Sequence, residues 1–366
     1  MTAPRIVVAG GHSAGHIEPT MNLADALRRL VPTAEITALG TVRGLDTTLI
    51  PARGYPLELI PPAPLPRGPN RALLHTPGRL RDAVRAAGAV LDRVRAEVVV
   101  GFGGYVAFPA YLAARRRGLP IVVHEANVRP GVANRLAARM TTRVFTASPS
   151  VRLAHATAIG IPLRPAITGL DRPALRDAAR WRFGLRSDGP VLLVTGGSQG
   201  AGAINAAVSG AATALRASGV QVLHITGQRH VVEVSDGDPP YVVTPYVDEM
   251  RYAYAAADFV LCRSGAMTCA ELAAVGLPAA YVPLPLRGGE QRLNAEPVVD
   301  AGGALLVDNA DLDPAWIETA LIPVLTDPER LAAMSARASA AGASDADVVL
   351  ARHVLGAVAE RRGIAR

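Results

Sequence analysis

Residues 5–19 read RIVVAGGHSAGHIEP, and residues 191–200 read VLLVTGGSQG. Each stretch is a short apolar run that ends in a glycine-rich loop. A helical pattern follows each loop, over Pro19–Leu30 in the first case and from about Ala203 in the second. A strand, a glycine loop and a helix in this order are typical of doubly wound parallel sheets. The sequence therefore predicts two α/β domains, each with a parallel sheet covered by helices on both faces.

The rest of the chain supports a division into two halves. Short apolar runs alternate with amphipathic stretches up to about residue 147, and the pattern breaks over Ile159–Asp171, which contains two prolines. It resumes at Val191. We predict one domain over residues 1–164, a second over residues 165–344, and a final helix within residues 345–366. Because ligands of such sheets bind at the carboxyl ends of strands, we expect the two domains to face a central cleft.

Composition excludes several classes of protein. The chain has 366 residues, of which 50% are hydrophobic, and only two are cysteines. Its length allows a core that needs no disulfide framework, and two cysteines alone cannot form a zinc site. The longest uncharged apolar stretch, residues 98–114, contains three glycines and a proline, which argues against a membrane-spanning helix. No signal-peptide pattern is visible at the N-terminus, so we expect a cytosolic protein.

The basic charge permits two interpretations. The formal net charge is +7, and the chain has no lysine, so all 38 basic residues are arginines. This excess indicates either a solvated surface shaped by genome composition or an anionic partner, such as nucleic acid, a phosphorylated substrate or an anionic membrane. Aromatic residues make up only 4% of the chain, which argues against single-stranded nucleic acid. Charge alone favours the solvated surface.

Three loops are candidates for ligand binding. Gly10–His16 and Gly196–Gly200 each place backbone N–H groups at a predicted helix N-terminus, which suits an anion. Neither has the spacing of a Walker loop or of a dinucleotide-binding loop, and the alternative is a tight turn between strand and helix. The third loop is Arg263–Thr268, with Glu271 one turn further on. Glu271 could accept two ribose hydroxyls, but Thr268 and Glu271 also have the spacing of a capping box, which the spacing alone favours.

Two histidines are placed to act as bases, because His16 and His124 lie at the carboxyl ends of predicted strands. For His124 we favour the alternative of a structural histidine bonded to the backbone. The three Asp-x-Asp patterns, at Asp236, Asp311 and Asp345, lie in a loop, at a helix start and in a C-terminal helix. None of them ends a buried strand, so we predict no catalytic metal.

Taken together, the motifs resemble those of the MurG family, the glycosyltransferases that add N-acetylglucosamine to the undecaprenyl-linked muramyl pentapeptide. They run in the family's order and cover nearly the whole chain. The matching segments are Gly10–Pro19, Gly101–Pro109, His124–Asn127, Gly160–Arg164, Gly196–Gly200, Pro245–Asp248, Arg263–Thr268 with Glu271, and Gly289–Ala295.

The resemblance implies a GT-B fold, in which two Rossmann-like domains are joined and the C-terminal helix packs back on the first. It also implies that the second domain binds UDP-N-acetylglucosamine and that no metal or other cofactor takes part. The donor-binding residues that it implies are Asn127, Arg164, Ser198, Gln199, Tyr246, Val247, Met267, Thr268, Glu271, Glu290 and Gln291.

The implied reaction is an inverting transfer to the 4-hydroxyl of a lipid-linked muramyl acceptor in peptidoglycan synthesis. His16 is the expected base or its helper, and Glu125 is the rival carboxylate. The first domain would bind the acceptor, and the residues expected to lie at its diphosphate are Ser13, Ala14, Gly15, Gly103 and Gly104.

The first glycine loop departs from the family pattern, because His12, Ser13 and Ala14 stand where the family usually has Gly-Thr-Gly or a close variant. Two alternatives stay open. The departure supports a related GT-B enzyme that acts on a modified lipid or an antibiotic. The other alternative is a non-catalytic copy that binds a nucleotide sugar or a lipid, and the presence of His16, Asn127, Glu271 and Gln291 argues against it.

A lipid-linked acceptor implies contact with the membrane. The stretch over residues 65–81 mixes leucines with arginines, and we predict a membrane patch formed by Leu73, Leu74, Arg71 and Arg79. Apolar side chains beside arginines suit the anionic inner leaflet, so the resemblance implies a peripheral protein at the cytoplasmic face. The alternative is a proline-rich connection with a solvated arginine face. We expect no nucleic-acid partner.

Overall fold

The computed structural model describes residues 2–11, 13–42, 44–63, 76–285 and 288–363. These residues form two compact units. One unit contains the described residues up to Arg164 together with those from Asp345 onward, and the other spans Pro165–Ser344. None of the helices in the described part of the chain combines the length and hydropathy that a bilayer crossing requires.

Each unit is built on a parallel sheet. The first sheet has seven strands in the order β3-β2-β1-β4-β5-β6-β7, and the second has six in the order β10-β9-β8-β11-β12-β13. The strands are β1 (Arg5–Ala9), β2 (Glu35–Gly40), β3 (Leu57–Leu59), β4 (Val98–Gly101), β5 (Ile121–Glu125), β6 (Val144–Thr146), β7 (Ala156–Ala158), β8 (Val191–Thr195), β9 (Gln221–Ile225), β10 (Tyr241–Thr244), β11 (Phe259–Cys262), β12 (Ala279–Tyr281) and β13 (Ala304–Leu306).

Helices connect these strands, and a π-helical turn over Ile317–Leu321 separates α13 from α14. The helices are α1 (Ala14–Leu30), α2 (Asp46–Ala52), α3 (Thr76–Arg93), α4 (Gly104–Arg116), α5 (Val132–Ala137), α6 (Pro165–Thr168), α7 (Arg172–Arg182), α8 (Gly202–Gly210), α9 (Ala212–Ala217), α10 (Met250–Ala256), α11 (Ala266–Ala274), α12 (Glu290–Asp300), α13 (Pro314–Trp316), α14 (Ile322–Leu325), α15 (Pro328–Ala340) and α16 (Ala346–Arg361).

The central strands of both sheets are apolar and buried on both faces. Strands β1, β4 and β8 consist largely of valine, isoleucine and leucine, which suit a parallel sheet covered by helices. Every strand pair is parallel, with β1 between β2 and β4 in the first sheet and β8 between β9 and β11 in the second. The predicted pair of doubly wound parallel sheets is therefore confirmed.

The last helix, α16, belongs to the first unit. Leu350, Val354 and Val358 of α16 are buried in the same apolar core as Ile17 and Met21 of α1. Burial of this face removes apolar surface from water on both helices, which is the main force that holds α16 in place.

A partly buried ion pair fixes the end of α16. The guanidinium of Arg362 donates to both carboxylate oxygens of Glu97, at 2.6 and 2.7 Å. It also donates to the carbonyl of Thr2 at 2.8 Å. The bond from Arg362 holds the pKa of Glu97 below its usual range. The two ends of the described chain are thereby joined at the start of β4.

Two helices begin earlier than the sequence predicts, and this moves functional residues out of loops. Helix α1 begins at Ala14, not at Pro19, so His16 lies in its first turn. Helix α4 begins at Gly104, not at Phe108. Proline is favoured in the first turn of a helix and glycine is disfavoured inside one, which is why the sequence pattern placed these starts too late. Helix α7, rich in arginine, lies between the connection predicted over Ile159–Asp171 and the series predicted from Val191, where the sequence pattern predicted no element.

Candidate active site

His16 is held by a hydroxyl that precedes its helix. The Oγ atom of Ser13 lies 2.9 Å from Nδ1 of His16. Ser13 stands at the N-cap position of α1, yet its side chain makes no capping bond to the helix backbone. Its hydroxyl is instead hydrogen-bonded to the imidazole. Thr20 donates to the carbonyl of His16 at 2.6 Å. With Nδ1 turned towards Ser13, Nε2 is on the opposite side of the ring, which is the position a base needs.

Two glycines after β4 bring the next loop against this histidine. Gly103 has φ +88° and ψ −163°, a region that only glycine adopts readily. A Cβ atom on Gly103 would lie 3.4 Å from Nε2 of His16 and 3.3 Å from Nδ2 of Asn134. Gly104, at φ +79°, passes close to the carbonyl of Gly11. Ser13 and Gly103, two of the residues predicted at the acceptor diphosphate, thus lie beside His16, the predicted base, in the first unit.

Glu125, the last residue of β5, is buried and binds backbone rather than solvent. Its side chain accepts hydrogen bonds from the amides of Asn127 and Gly131, each at 3.0 Å. Nδ2 of Asn134 donates to the same carboxylate, also at 3.0 Å. Burial raises the pKa of Glu125, and these hydrogen bonds act in the opposite direction. The carboxylate therefore organises the loop that carries Asn127.

His124 is a structural histidine, as the backbone-bonded alternative predicted. Its ring is fully buried, and Nε2 lies 2.8 Å from the carbonyl of Gly160. Burial lowers the pKa of His124 to about 4. The neutral ring must then donate from Nε2, and among the described residues nothing bonds to Nδ1. The sequence pattern marked both His124 and His16 as candidate bases only because each was predicted at the carboxyl end of a strand.

Arg164, the residue directly before the second unit begins, lies beside α1. Its guanidinium is 3.8 Å from the carboxylate of Glu18, and 44% of its side chain is exposed. Glu18 also accepts a hydrogen bond from Arg53 at 3.0 Å. Exposure leaves the guanidinium able to bind an anionic ligand, because the pair with Glu18 is long and solvated.

The glycine loop of the second unit follows β8. Gly197 and Gly200 have φ of +81° and +75°, and the amide of Gly200 donates to the carbonyl of Gly197 at 2.9 Å. This tight turn leaves Ser198 and Gln199 exposed just before α8. Backbone amides at a helix N-terminus carry partial positive charge, which suits the phosphates of a nucleotide.

Glu271 is oriented by a tyrosine rather than by a helix cap. The hydroxyl of Tyr254 donates to Oε2 of Glu271 at 2.7 Å. Helix α11 begins at Ala266 after Gly265, and no side chain caps it. The capping box of Thr268 and Glu271, which the spacing favoured, is therefore wrong. Glu271 instead presents a fixed carboxylate on α11, while Met267 and Thr268 are partly exposed in the first turns.

The other predicted donor residues follow β10 and β12. Tyr246 is 46% exposed, and the hydroxyl of Thr244 donates to its carbonyl at 3.2 Å. Gln291, in the first turn of α12, accepts a hydrogen bond from the amide of Leu284 at 2.9 Å. Val247 follows Tyr246 in the sequence, Glu290 precedes Gln291, and both are partly exposed. Since all strands of the sheet are parallel, the residues after β8, β10, β11 and β12 lie at the same edge.

Family models match both units. The glycosyltransferase family 28 N-terminal domain matches residues 6–146, and the C-terminal domain of the same family matches residues 191–350. The chain is 56% identical over 359 residues to the UDP-N-acetylglucosamine–N-acetylmuramyl-(pentapeptide) pyrophosphoryl-undecaprenol N-acetylglucosamine transferase of Streptomyces avermitilis, covering 97% of this chain and 99% of the relative. The enzyme of that name from Thermobifida fusca is 56% identical, with 96% and 93% covered.

This chain belongs to the MurG family of glycosyltransferases. Its fold agrees, because the crystal structure of Acinetobacter baumannii MurG matches with a TM-score of 0.80 and 25% identity, covering 97% of this chain and 99% of that one. The predicted GT-B fold is therefore confirmed, and the chain is a glycosyltransferase. The comparisons do not favour a GT-B enzyme for a modified lipid or an antibiotic, nor a non-catalytic binding copy, since full-length relatives above half identity carry the name of the peptidoglycan transferase.

Several residues of the site were not found from the sequence. Tyr111, Asn134 and Tyr254 make the hydrogen bonds that orient Glu125 and Glu271, yet none lies in a glycine loop. No local pattern marks them, because their partners are distant in sequence. Asp46 is another, a buried carboxylate that lies against Gly11 and accepts from the amide of Thr41 at 2.8 Å.

Some predicted residues lie outside the described part of the chain. Leu73, Leu74 and Arg71 of the predicted membrane patch belong to this group, as does His12 of the first loop. Arg79 is described, and it is exposed on α3. The backbone of Ala14 begins α1, and Gly15 is exposed in the same turn.

Proposed function

We propose that this chain transfers N-acetylglucosamine from UDP-N-acetylglucosamine to the 4-hydroxyl of undecaprenyl-pyrophosphoryl-N-acetylmuramyl-pentapeptide. The observation that carries the proposal is the 56% identity, over 97% of the chain, to a Streptomyces avermitilis enzyme whose name states this donor group and acceptor. Sites at the strand ends of both units support it, because each offers groups suited to one of the two substrates.

The second unit binds the donor in this proposal. Amides of the loop at Ser198 and Gln199, with the start of α11 at Met267 and Thr268, meet the diphosphate. The carboxylate of Glu271 accepts the ribose hydroxyls, and its orientation is set by Tyr254. Backbone groups around Tyr246 and Val247 bind uracil. Glu290 and Gln291 lie at the sugar. Asn127 and Arg164, which belong to the first unit, are the other donor-binding residues that the family resemblance implies.

The first unit binds the acceptor and supplies the base. The acceptor hydroxyl attacks the anomeric carbon, the bond from that carbon to UDP breaks, and Nε2 of His16 takes the proton. The Ser13 hydroxyl lies 2.9 Å from Nδ1. In the proposed tautomer Nδ1–H donates to this hydroxyl, and the lone pair that takes the proton is then on Nε2. The transition state has oxocarbenium character and negative charge on the leaving UDP, which helix N-termini and Arg164 stabilise.

His16 is favoured over Glu125 as the base. The side chain of Glu125 takes three hydrogen bonds at 3.0 Å from donors that hold a loop in place, so a proton on it would break some of them. In His16, Nδ1 contacts the hydroxyl of Ser13, and Nε2 lies beside Gly103, the residue directly before α4.

We also propose peripheral binding of the first unit to the anionic inner leaflet. Arg79, Arg81 and Arg85 are exposed on α3, directly after the leucine-rich stretch, and Arg115 and Arg116 are exposed at the end of α4. Each arginine near an anionic surface contributes about 1 kcal/mol to binding. Vesicles with and without anionic lipid test this, with Leu73→Ser/Leu74→Ser as the variant. Equal binding of the variant and the wild type to the anionic vesicles would contradict a role of the predicted patch in membrane binding.

The transferase itself is tested by supplying the purified full chain with UDP-N-acetylglucosamine and the lipid-linked muramyl acceptor. We expect release of UDP and formation of the disaccharide lipid only when both substrates are present. Release of UDP with a different acceptor, and none with the muramyl lipid, would contradict the proposal in favour of another acceptor. Binding of UDP without any transfer would contradict catalysis altogether.

A further inference from the structure

A buried chain of hydrogen bonds runs through the first unit beneath the candidate active site. Gly103 packs against the side chain of Asn134, because a Cβ atom on Gly103 would lie 3.3 Å from Nδ2 of Asn134. The Tyr111 hydroxyl donates to Oδ1 of the same Asn134 at 2.9 Å. Nδ2 of Asn134 then donates to Glu125 at 3.0 Å and to the carbonyl of His124 at 3.1 Å.

The polarity of this chain is determined at every step. Both acceptors of the Asn134 amide nitrogen are oxygens, so Oδ1 must face Tyr111, and Tyr111 must donate. Tyr111 and Asn134 have no exposed surface, and Glu125 is 3% exposed. In such surroundings water cannot replace a lost partner, and hydrogen bonds in a row strengthen one another. Removing the Tyr111 hydroxyl therefore releases one side of the Asn134 amide, which contacts both Gly103 and Glu125.

The two ends lie at two different parts of the site. At one end, Gly103 lies against Nε2 of His16, where a Cβ would be 3.4 Å away. At the other end, the carboxylate of Glu125 holds the amides of Asn127 and Gly131 at 3.0 Å. The network joins the turn beside the base to the loop that carries Asn127.

We propose that Tyr111 and Asn134 are positioning residues for sugar transfer, holding the turn at Gly103 and the Asn127 loop in fixed relation to His16. This inference rests on the proposed function, because it takes the roles of His16 and Asn127 from there. Tyr111 is on α4 and Asn134 is on α5, so the relation depends on the packing of these two helices on β4 and β5.

The ring of Tyr111 is needed for packing, which makes its hydroxyl the part to test. A Cβ on Gly101 would overlap this side chain, so the ring fills the space above β4. Tyr111→Phe keeps the ring and removes only the oxygen. It leaves Oδ1 of Asn134 without the donor of its hydrogen bond.

Tyr55→Phe is the matched control. Tyr55 is in the same unit, is 3% exposed, and donates its hydroxyl to Asp25 at 2.6 Å, so the loss of that hydroxyl also breaks one hydrogen bond of a buried tyrosine. We expect both variants to lower the melting temperature by similar amounts. Only Tyr111→Phe should lower kcat, by at least tenfold, while the affinity for UDP stays within twofold of the wild type. A kcat for Tyr111→Phe equal to that of Tyr55→Phe would overturn the inference.

A double variant tests whether Tyr111 acts through Asn134. If it does, Tyr111→Phe combined with Asn134→Ala should lower kcat no further than Asn134→Ala alone. If the double variant instead loses kcat by the product of the two single losses, Tyr111 does not act through Asn134 and the inference is overturned. In the same assay an inactive wild-type chain would overturn both the proposed function and this inference, whereas an active wild type with a fully active Tyr111→Phe overturns this inference alone.

Discussion

The hydroxyl oxygen of Ser13 lies 2.9 Å from Nδ1 of His16, three residues further along the chain. The contact is made within the first turn of α1, which begins between the two residues. A side chain at an N-cap position usually bonds to the helix backbone, whereas this one bonds to the imidazole. The ring of His16 is thereby oriented by the start of its own helix.

The first prediction concerns the base. His16→Ala should lower turnover by about 10²- to 10⁴-fold, the range expected when a general base is lost. Ser13→Ala should cost less, about tenfold, because it removes only the group that orients the ring. The affinity for UDP, measured by calorimetry, should not change in either variant, because the donor is bound by the second unit. Near-normal turnover of His16→Ala would remove His16 from the mechanism.

The second prediction concerns Gly103. Gly103→Ala places a methyl group 3.4 Å from Nε2 of His16 and forces alanine into a backbone region that favours glycine. We expect turnover to fall by at least tenfold. Gly118→Ala is the control, since Gly118 also has positive φ, at +63°, but nothing lies within 4 Å of the added Cβ.

Both glycine variants should lose stability, by about 1 kcal/mol or more. Thermal unfolding reports that loss, and UDP binding reports whether the second unit is intact. If Gly118→Ala loses as much turnover as Gly103→Ala, the effect comes from backbone strain alone, and the contact with His16 is not responsible.

The comparison of sequence and structure shows which features are local. The glycine loops and the apolar strands before them could be predicted from the sequence, because both depend on residues that are adjacent in the chain. The parallel sheets follow from β-branched strands that alternate with helices. The hydrogen bond between Tyr111 and Asn134 could not be read, since it joins residues 23 apart on two helices whose packing no motif determines.

Helix starts were the weaker part of the prediction, for a physical reason. Gly15 and Pro19 both lie inside α1, where propensity disfavours them. Packing overrides propensity here, because Ile17 and Met21 of the same helix are fully buried in the core shared with β1 and α16. The loop that was expected to carry His16 is therefore the first turn of a helix.

The third prediction concerns Glu271. A carboxylate can accept both ribose hydroxyls, whereas the amide of Glu271→Gln offers a single acceptor oxygen. We expect the Kd for UDP to rise by about 10- to 100-fold, in the range for loss of a hydrogen bond to a charged group. Tyr254→Phe should give a smaller rise, because it removes the donor that fixes the carboxylate.

A ligand without ribose hydroxyls provides the control for that prediction. The 2′,3′-dideoxy analogue of UDP should bind the wild type and Glu271→Gln with equal affinity, because the contact in question is then missing from both. An equal loss of affinity for UDP and for the dideoxy analogue would contradict a ribose contact and would indicate a distorted second unit.

The fourth prediction concerns stability at acid pH. His124 in the first unit and His224 in the second are fully buried, and burial lowers the pKa of each to about 4. For His224 the neutral ring is fully bonded, with Nε2 at 3.0 Å from Oδ1 of Asn205 and Nδ1 at 2.8 Å from the Tyr241 hydroxyl. The unfolded chain binds each proton near pH 6.5, whereas the folded chain binds it only near pH 4. Protons therefore favour the unfolded state.

Stability should thus be complete above pH 6.5 and should fall as the pH drops towards 4, by about 3 kcal/mol for each histidine. Calorimetric unfolding between pH 7.5 and 4.5, at constant ionic strength, measures the loss. His224→Gln should flatten the pH dependence of the second unit's transition while leaving that of the first unit unchanged, with each variant referred to its own value at pH 7.5. An unchanged slope in His224→Gln would mean that this ring is protonated in the folded state as readily as in the unfolded chain, and that burial does not control its charge.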